Sequence, residues 1–374
     1  MNMFKTIAAA ALITETADAA KSCRALAMSG GGSKGAFEAG AMWGLIKTDP
    51  NPEKYMWDVV TGVSAGSLNA AIVTGFAPGS EDEMVEYASD LWKNTGNSDA
   101  YENWWGGMFR GLTDKSGVYN NAAEYELVAG IIKELGDAKR KFVVSSVDVN
   151  TGNYVRFNET IPRDEQYKAF TASSLIPGVF ETLKWKGHVL MDGGTVWNTN
   201  FVDAVERCRE QVDNDSEITV DVIVCTGYDL KNNDQNSQDS YNNYLRNNEI
   251  KEYHTNMGDI STFVEAYPDI NFRHYIQPST PLASGLSMLD FTNNTNTWPM
   301  QAIGRTDGAN AVAQGEGFMF AKMKEWNHSP ELQAEYKNVG EYIHKVNHEQ
   351  NLKFKSERRH GVFMDTKNPE LEFL

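Results

Sequence analysis

Val59-Val60-Thr61-Gly62-Val63-Ser64-Ala65-Gly66-Ser67-Leu68-Asn69-Ala70-Ala71-Ile72 reads as a short buried strand, a turn and then a helix of small residues. A GxSxG pattern, Gly62, Ser64 and Gly66, falls where the strand gives way to the helix. A serine on so sharp a turn is forced into a strained backbone conformation that lifts its hydroxyl clear of the sheet, and the flanking glycines leave room for the crossing backbone. Ser64 is therefore the candidate nucleophile. In a chain with 31 glycines a Gly/Ser-rich loop also fits five positions by chance, so the motif needs its context.

That context begins upstream. Arg24 to Met28 is another short strand and runs directly into Ser29-Gly30-Gly31-Gly32-Ser33-Lys34-Gly35; Ala36 to Ile46 then has helical spacing, with Phe37, Met42, Leu45 and Ile46 apolar. Backbone N–H groups at such a helix start have no internal partners and attract negative charge. Two readings compete for this loop. Gly30, Gly32 and Gly35 satisfy GxGxxG after a strand, which suits a nucleotide. The same N–H groups also suit an oxyanion hole for a tetrahedral acyl intermediate. A GxxxxGK[ST] phosphate loop is excluded, because Lys34 precedes Gly35. One strand–helix–strand unit separates Gly30 from Ser64, so both loops should emerge at the carboxyl edge of adjacent parallel strands. Nucleotide binding leaves the serine loop without a role, whereas acyl transfer uses both.

Composition sets the outer limits. The chain has 374 residues, 41% hydrophobic and 23% charged, enough for one large α/β domain or two smaller ones. A net charge of −17 opposes a nucleic-acid partner and docking on anionic membranes by charge alone. Cys23, Cys208 and Cys225 are too few and scattered for a disulfide framework or a zinc site; they leave room for one disulfide and an odd thiol. At the amino terminus, a lone Lys5, the apolar run Thr6 to Ile13 and Ala17-Asp18-Ala19 resemble a cleaved leader, although Glu15 and Asp18 are unusual in one. Secretion or endomembrane entry follows if it is a leader, and a cytoplasmic or peripheral-membrane location if it is not. No stretch reaches the roughly 18 apolar residues of a membrane span. N-glycosylation acceptors occur at Asn158, Asn214, Asn293 and Asn327.

Further along, Tyr101 to Leu112 is aromatic and glycine-rich, fitting either a flap that enters a lipid interface or a satellite core under a loop. Lys141 to Val147 is a strand, with Tyr154 to Phe157 its partner across a turn. A helix over about Glu165 to Leu175 ends at Pro177-Gly178. Then His188-Val189-Leu190-Met191-Asp192-Gly193-Gly194-Thr195 is a strand that ends in a carboxylate beside two glycines, a good position for a base or an ordinary turn aspartate.

Taken in order, Gly30-Gly31-Gly32-Ser33-Lys34-Gly35, Gly62-Val63-Ser64-Ala65-Gly66 and Asp192-Gly193-Gly194 resemble the patatin-like phospholipases. Ala172-Ser173-Ser174-Leu175-Ile176-Pro177-Gly178-Val179-Phe180 looks like the helix-to-proline stretch of those proteins, and Asn198 matches an asparagine often found after their DG pair. The resemblance covers about 25–203, more weakly the strand Thr219 to Thr226; Asn200 departs from a common proline, and nothing beyond Gly227 aligns. It implies an α/β, three-layer fold with a mainly parallel central sheet flanked by helices. It also implies a Ser64–Asp192 dyad, oxyanion donors from Gly30 to Ser33, no metal or cofactor, and a phospholipid or other acyl-lipid substrate met at a membrane or lipid interface. In such an arrangement Lys34, Gly35, Gly62, Gly66, Gly193 and Gly194 support the motifs.

Three rivals remain at this stage. A Ser–Asp–His triad could draw on His254, His274, His328, His344, His348 or His360, none in a recognisable motif. A nucleotide-binding module would use the GxGxxG loop, and an inactive lipid-binding or storage protein would keep the fold without turnover. The malonyl-transfer enzymes of similar fold are disfavoured, because they carry His where this chain has Val63. After a strand at Ile218 to Cys225, Lys231 to Asn248 is a polar insertion, Glu249 to Tyr267 and Gly315 to Trp326 look helical, and Asn271 to Ile276 is strand-like. The expected organisation is a leader or unstructured start over 1–20, a catalytic domain over 21–330 and a helical extension over 331–374.

Overall fold

The computed structural model describes residues 21–105, 107–226, 260, 262–282 and 285–327, with isolated helical positions at 243, 246–247 and 250–251. The leader over 1–20, almost all of the polar insertion and the region after 327 lie outside the described residues. The chain divides into two compact units, Met1–Phe320 and Ala321–Leu374, and helix Phe318–Asn327 straddles their boundary.

The first unit is α/β, built on a mostly parallel eight-stranded sheet flanked by helices. Its parallel strands are β1 (Cys23–Met28), β2 (Val59–Gly62), β5 (Lys141–Asp148), β10 (Ile218–Ile223) and β11 (Asn271–Ile276). Antiparallel members are β6 (Tyr154–Asn158), β8 (Leu183–Trp185) and β9 (His188–Asp192), in the order β11-β10-β1-β2-β5-β9-β8, with β6 also paired to β5. β1 and β2 are buried over nearly their whole length, which is why Ala25 to Met28 and Val59-Val60 read as apolar runs instead of alternating ones. A small second sheet joins β3 (Glu102–Asn103), β4 (Gly117–Asn120) and β7 (Gly178–Phe180).

Helix α1 (Gly35–Thr48) follows β1, and α2 (Ala65–Thr74) follows β2; Phe37, Leu45, Trp57, Val60 and Phe142 lie in the core they share with the sheet. Helix Trp298–Gln314 packs along α1. Cys23 and Cys208 form a disulfide that ties the start of β1 to helix Phe201–Arg209, and Cys225 is the odd thiol, buried. The aromatic segment divides. Tyr101 packs against Tyr119 with ring centroids 4.7 Å apart and the rings tilted at 44°, and Trp104 Nε1 donates to Gly117 O at 3.1 Å, whereas Trp105 stays 87% exposed. Among the described residues no helix is long and apolar enough to cross a membrane.

Candidate active site

Strand register brings the two loops together. Val143 of β5 pairs with Thr61 on one side and Asn158 on the other, and Ser146 pairs with Val155 of β6 and with Asp192 of β9. β6 therefore occupies one edge of β5 for its whole length, while β2 and β9 share the other edge. β2 ends at Gly62, opposite Val144, and antiparallel β9 ends at Asp192, opposite Ser146. The two strands run head-on, and the gap between them is one β5 residue, Ser145. A Cβ added to Gly193 would lie 2.3 Å from Ser145 O and 3.2 Å from Val63 Cγ1, so the residues flanking Ser64 and Asp192 are in contact.

Ser64 caps α2 with φ 52° and ψ −120°, a conformation that side chains rarely adopt, and is 5% exposed. The strain is held by its surroundings. Its N–H donates to Ser173 Oγ at 3.0 Å, and its carbonyl accepts Ser67 Oγ at 2.6 Å. Gly66 lies so close to β1 that a Cβ would be 2.6 Å from Met28 O, the crossing that the pattern anticipates. Asp192 is 6% exposed, and its Oδ1 accepts the N–H of Gly194 at 2.7 Å.

Ser173 to Leu175 fastens the serine and the aspartate to one segment. Ser173 Oγ accepts from Ser64 and donates to Ser145 O at 2.6 Å; Ser173 O takes the N–H of Gly193 at 3.3 Å; Leu175 O takes that of Asp192 at 2.9 Å. Asn198 fastens the glycine loop in the same way, accepting the N–H of Gly30 on its backbone O at 3.0 Å and donating Nδ2 to Gly30 O at 3.3 Å. A Cβ on Gly30 would meet Ser64 Cβ at 2.9 Å, so this loop touches the serine. Gly30's N–H is thus engaged, while no acceptor among the described residues takes the N–H of Gly31 or Gly32. Ser33 is fully buried, its Oγ accepting from Asn296 Nδ2 at 3.2 Å; Lys34 and Gly35 turn back onto the loop through Gly31 O and Gly32 O.

Gly32 and Ser64 line one pocket. Its wall is almost entirely apolar, with Leu68, Trp92, Leu127, Ile131 and Phe291 prominent. The exceptions include Glu124 and Ser174. Burial first of all pushes Glu124 up to about 7, with the charge of Asp192 adding to the rise and hydrogen bonds from Ser174 and Asn121 opposing it. An apolar wall suits an acyl chain.

Of the histidines proposed for a triad, His274 is described, and its Nε2 lies 3.2 Å from the OH of Tyr55. His254, His328, His344, His348 and His360 lie outside the described residues. Among the described residues no group of three or more His, Cys, Asp or Glu could hold a metal ion. Ser173 and Glu124 were not legible as site residues. The Ala172–Phe180 stretch marks the place of Ser173, but its bonds to Ser64 and Ser145 are tertiary.

Residues 26–205 match the family model described as patatin-like phospholipase. No curated protein matches the chain. Among solved structures, VipD from Legionella pneumophila aligns at 13% identity and a TM-score of 0.37, over 79% of this chain and 67% of that one. The ExoU–SpcU complex of the Pseudomonas aeruginosa type III secretion system aligns at 15% identity and a TM-score of 0.32, over 79% of this chain and 52% of that one. The chain thus spans about half the length of the second.

Proposed function

We propose that this chain, whose residues 26–205 match the patatin-like phospholipase family model, hydrolyses carboxylic esters of phospholipids or related acyl lipids through a Ser64–Asp192 dyad. The observation that carries this reading is the head-on meeting of β2 and β9 on one edge of β5. In the reaction Asp192 takes the proton of Ser64 as its oxygen attacks the ester carbonyl. The carbonyl oxygen, now negative, is held by the N–H groups that follow Gly30, those of Gly31 and Gly32 and then Ser33. Asp192 returns the proton to the leaving alcohol. Water then loses a proton to Asp192, attacks the acyl-serine and releases the acid as Ser64 is reprotonated. The acyl chain lies in the pocket below Ser64.

The test is hydrolysis of p-nitrophenyl butyrate and of phosphatidylcholine vesicles by the wild type, Ser64→Ala and Asp192→Asn. Both variants should lose at least ~10³-fold in kcat while melting within a few degrees of the wild type. An active Asp192→Asn would remove the dyad, and an inert wild type would remove the hydrolase.

The lipid interface is assigned to Trp105 and Leu112, 87% and 68% exposed beside the small second sheet. Amphipathic rings favour the headgroup region, so Trp105→Ala should lower turnover of vesicles several-fold more than that of the soluble ester. Equal losses on the two substrates would reduce Trp105 to a packing role.

A further inference from the structure

We propose that Glu124 is the specificity-determining side chain of the acyl pocket: as the neutral acid it admits a long apolar chain, and as the carboxylate it turns such chains away. The inference rests on the hydrolase reading only for what the pocket serves, and its first test does not require turnover.

Glu124 sits in the first turn of helix Ala122–Leu135, 5% exposed, in the wall of the pocket that Ser64 opens into. Ser174 Oγ lies 2.5 Å from Glu124 Oε1 and 2.8 Å from Thr171 O. One hydroxyl has one proton, and a backbone carbonyl can only accept. With Glu124 neutral, the acid donates to Ser174 Oγ and Ser174 donates to Thr171 O. With Glu124 ionised, the Ser174 hydroxyl turns to the carboxylate, and Thr171 O keeps the Ser174 N–H at 3.0 Å. A single hydroxyl rotation therefore serves both states. Asn121 Nδ2 holds Oε2 through a long contact of 3.4 Å in either.

The groups around it are few. Asp192 acts on Glu124 from the end of β9, and Tyr125 is its titratable neighbour on the same helix. Tyr167 of helix Arg163–Ala172 and Glu181 act on Tyr125, and Asp99 of the short helix Asn97–Ala100 accepts the N–H of Gly96 at 2.8 Å. No cation among the described residues is hydrogen-bonded or ion-paired to the Glu124 carboxyl, so nothing offsets a charge there except two neutral donors. A chain that fills the pocket strips water from that carboxylate, a cost that grows with the length of chain bound, while an acetyl group leaves the site wet. Burial sets the change-over near neutrality, inside the range in which esterases can be assayed.

The first experiment measures binding of 1-decanol, an uncharged probe, to the whole protein between pH 5.5 and 8.5 by calorimetry, for wild type and Glu124→Gln. The amide can still donate to Ser174 but cannot ionise. Wild-type affinity should fall about tenfold across this range by proton linkage, and that of Glu124→Gln by less than about twofold. The second compares kcat/KM for p-nitrophenyl octanoate and acetate. The octanoate-to-acetate ratio should fall with pH in the wild type, through KM, and stay flat in Glu124→Gln. The wild-type data alone decide if the variant does not fold. Decanol that fails to bind, or binds equally at every pH, overturns the inference, as does a variant whose pH dependence copies the wild type. Hydrolysis with a constant chain-length ratio also overturns it and leaves the hydrolase standing. Decanol binding that weakens with pH in a protein that cleaves no ester supports the gate and removes the hydrolase.

Discussion

Gly30 to Gly35 crosses from β1 into α1 as a loop beside the serine, whereas Gly40 and Gly44, farther along the same helix, face helix Trp298–Gln314 with no side chain between the backbones. At this seam a Cβ would meet main-chain oxygen from either side. The distances are 2.2 Å from Gly40 to Gln301 O, 2.3 Å from Gly44 to Arg305 O, 2.1 Å from Gly304 to Phe37 O and 2.3 Å from Gly308 to Ala41 O. The loop glycines decide which way donors point, and the seam glycines decide how near two helices come. Glycine inside a helix costs about 1 kcal/mol against alanine, so packing across the seam has to offset several such costs. The difference teaches that one residue type serves chemistry at one end of α1 and architecture along the rest of it.

The largest effect should come from Gly304→Val. Its side chain would strike a backbone oxygen that no rotamer can move, so the two helices must separate, at a cost of at least ~3 kcal/mol, the upper end for overpacking. Urea titration should show the midpoint falling steeply; an unshifted midpoint would mean that the seam is loose and the comparison ill-founded. Gly31→Val comes next and should do the reverse. Gly31 has φ 178°, which any residue adopts, and its added carbon would meet Cys225 Cβ at 2.7 Å and Sγ at 2.8 Å. Displacing one oxyanion donor should reduce kcat by roughly 10²-fold, with a smaller loss of stability than in Gly304→Val. Full activity in a folded Gly31→Val protein would take the loop out of the chemistry.

The loop end of this contrast was legible in the sequence and the seam was not. Strand, glycine run and helix follow one another in the chain over 24–46, so periodicity finds them, and β11 at Asn271–Ile276 stands out for the same local reason. Helix Trp298–Gln314 was missed, because Pro299, Gly304 and Gly308 read as breakers until α1 lies against them. The 185-residue separation of Cys23 and Cys208 left one disulfide open without naming its partners. Asp192 and the GxSxG turn were visible as motifs, yet their meeting depends on β9 taking the vacant half of the β5 edge, a register no local pattern encodes. Glu124 is an acidic residue in a first helical turn, where such residues are common for their effect on the helix dipole; only the apolar wall around it makes it unusual.

Glu38 lies between the two ends of the comparison and sharpens it through pH. It is fully buried on α1, its Oε2 accepting Asn69 Nδ2 at 2.9 Å and its Oε1 facing Cys225 Sγ at 3.4 Å, beneath the Gly31 turn. Burial pushes it up to about 8 from 4.5, against hydrogen bonds from Asn69, Cys225 and Ser29 that favour the charged form. A folded acid that holds its proton more tightly than the unfolded chain loses stability as pH rises from the unfolded value through the folded one, at roughly 1.4 kcal/mol per pH unit, and levels off beyond. Glu38→Gln removes that slope. Its melting temperature should match the wild type near pH 5 and exceed it by a widening margin to about pH 8, with ester turnover at pH 6 little changed. A margin that does not widen would mean that Glu38 is buried as the carboxylate, which would set a negative charge under the very amides proposed to receive an oxyanion.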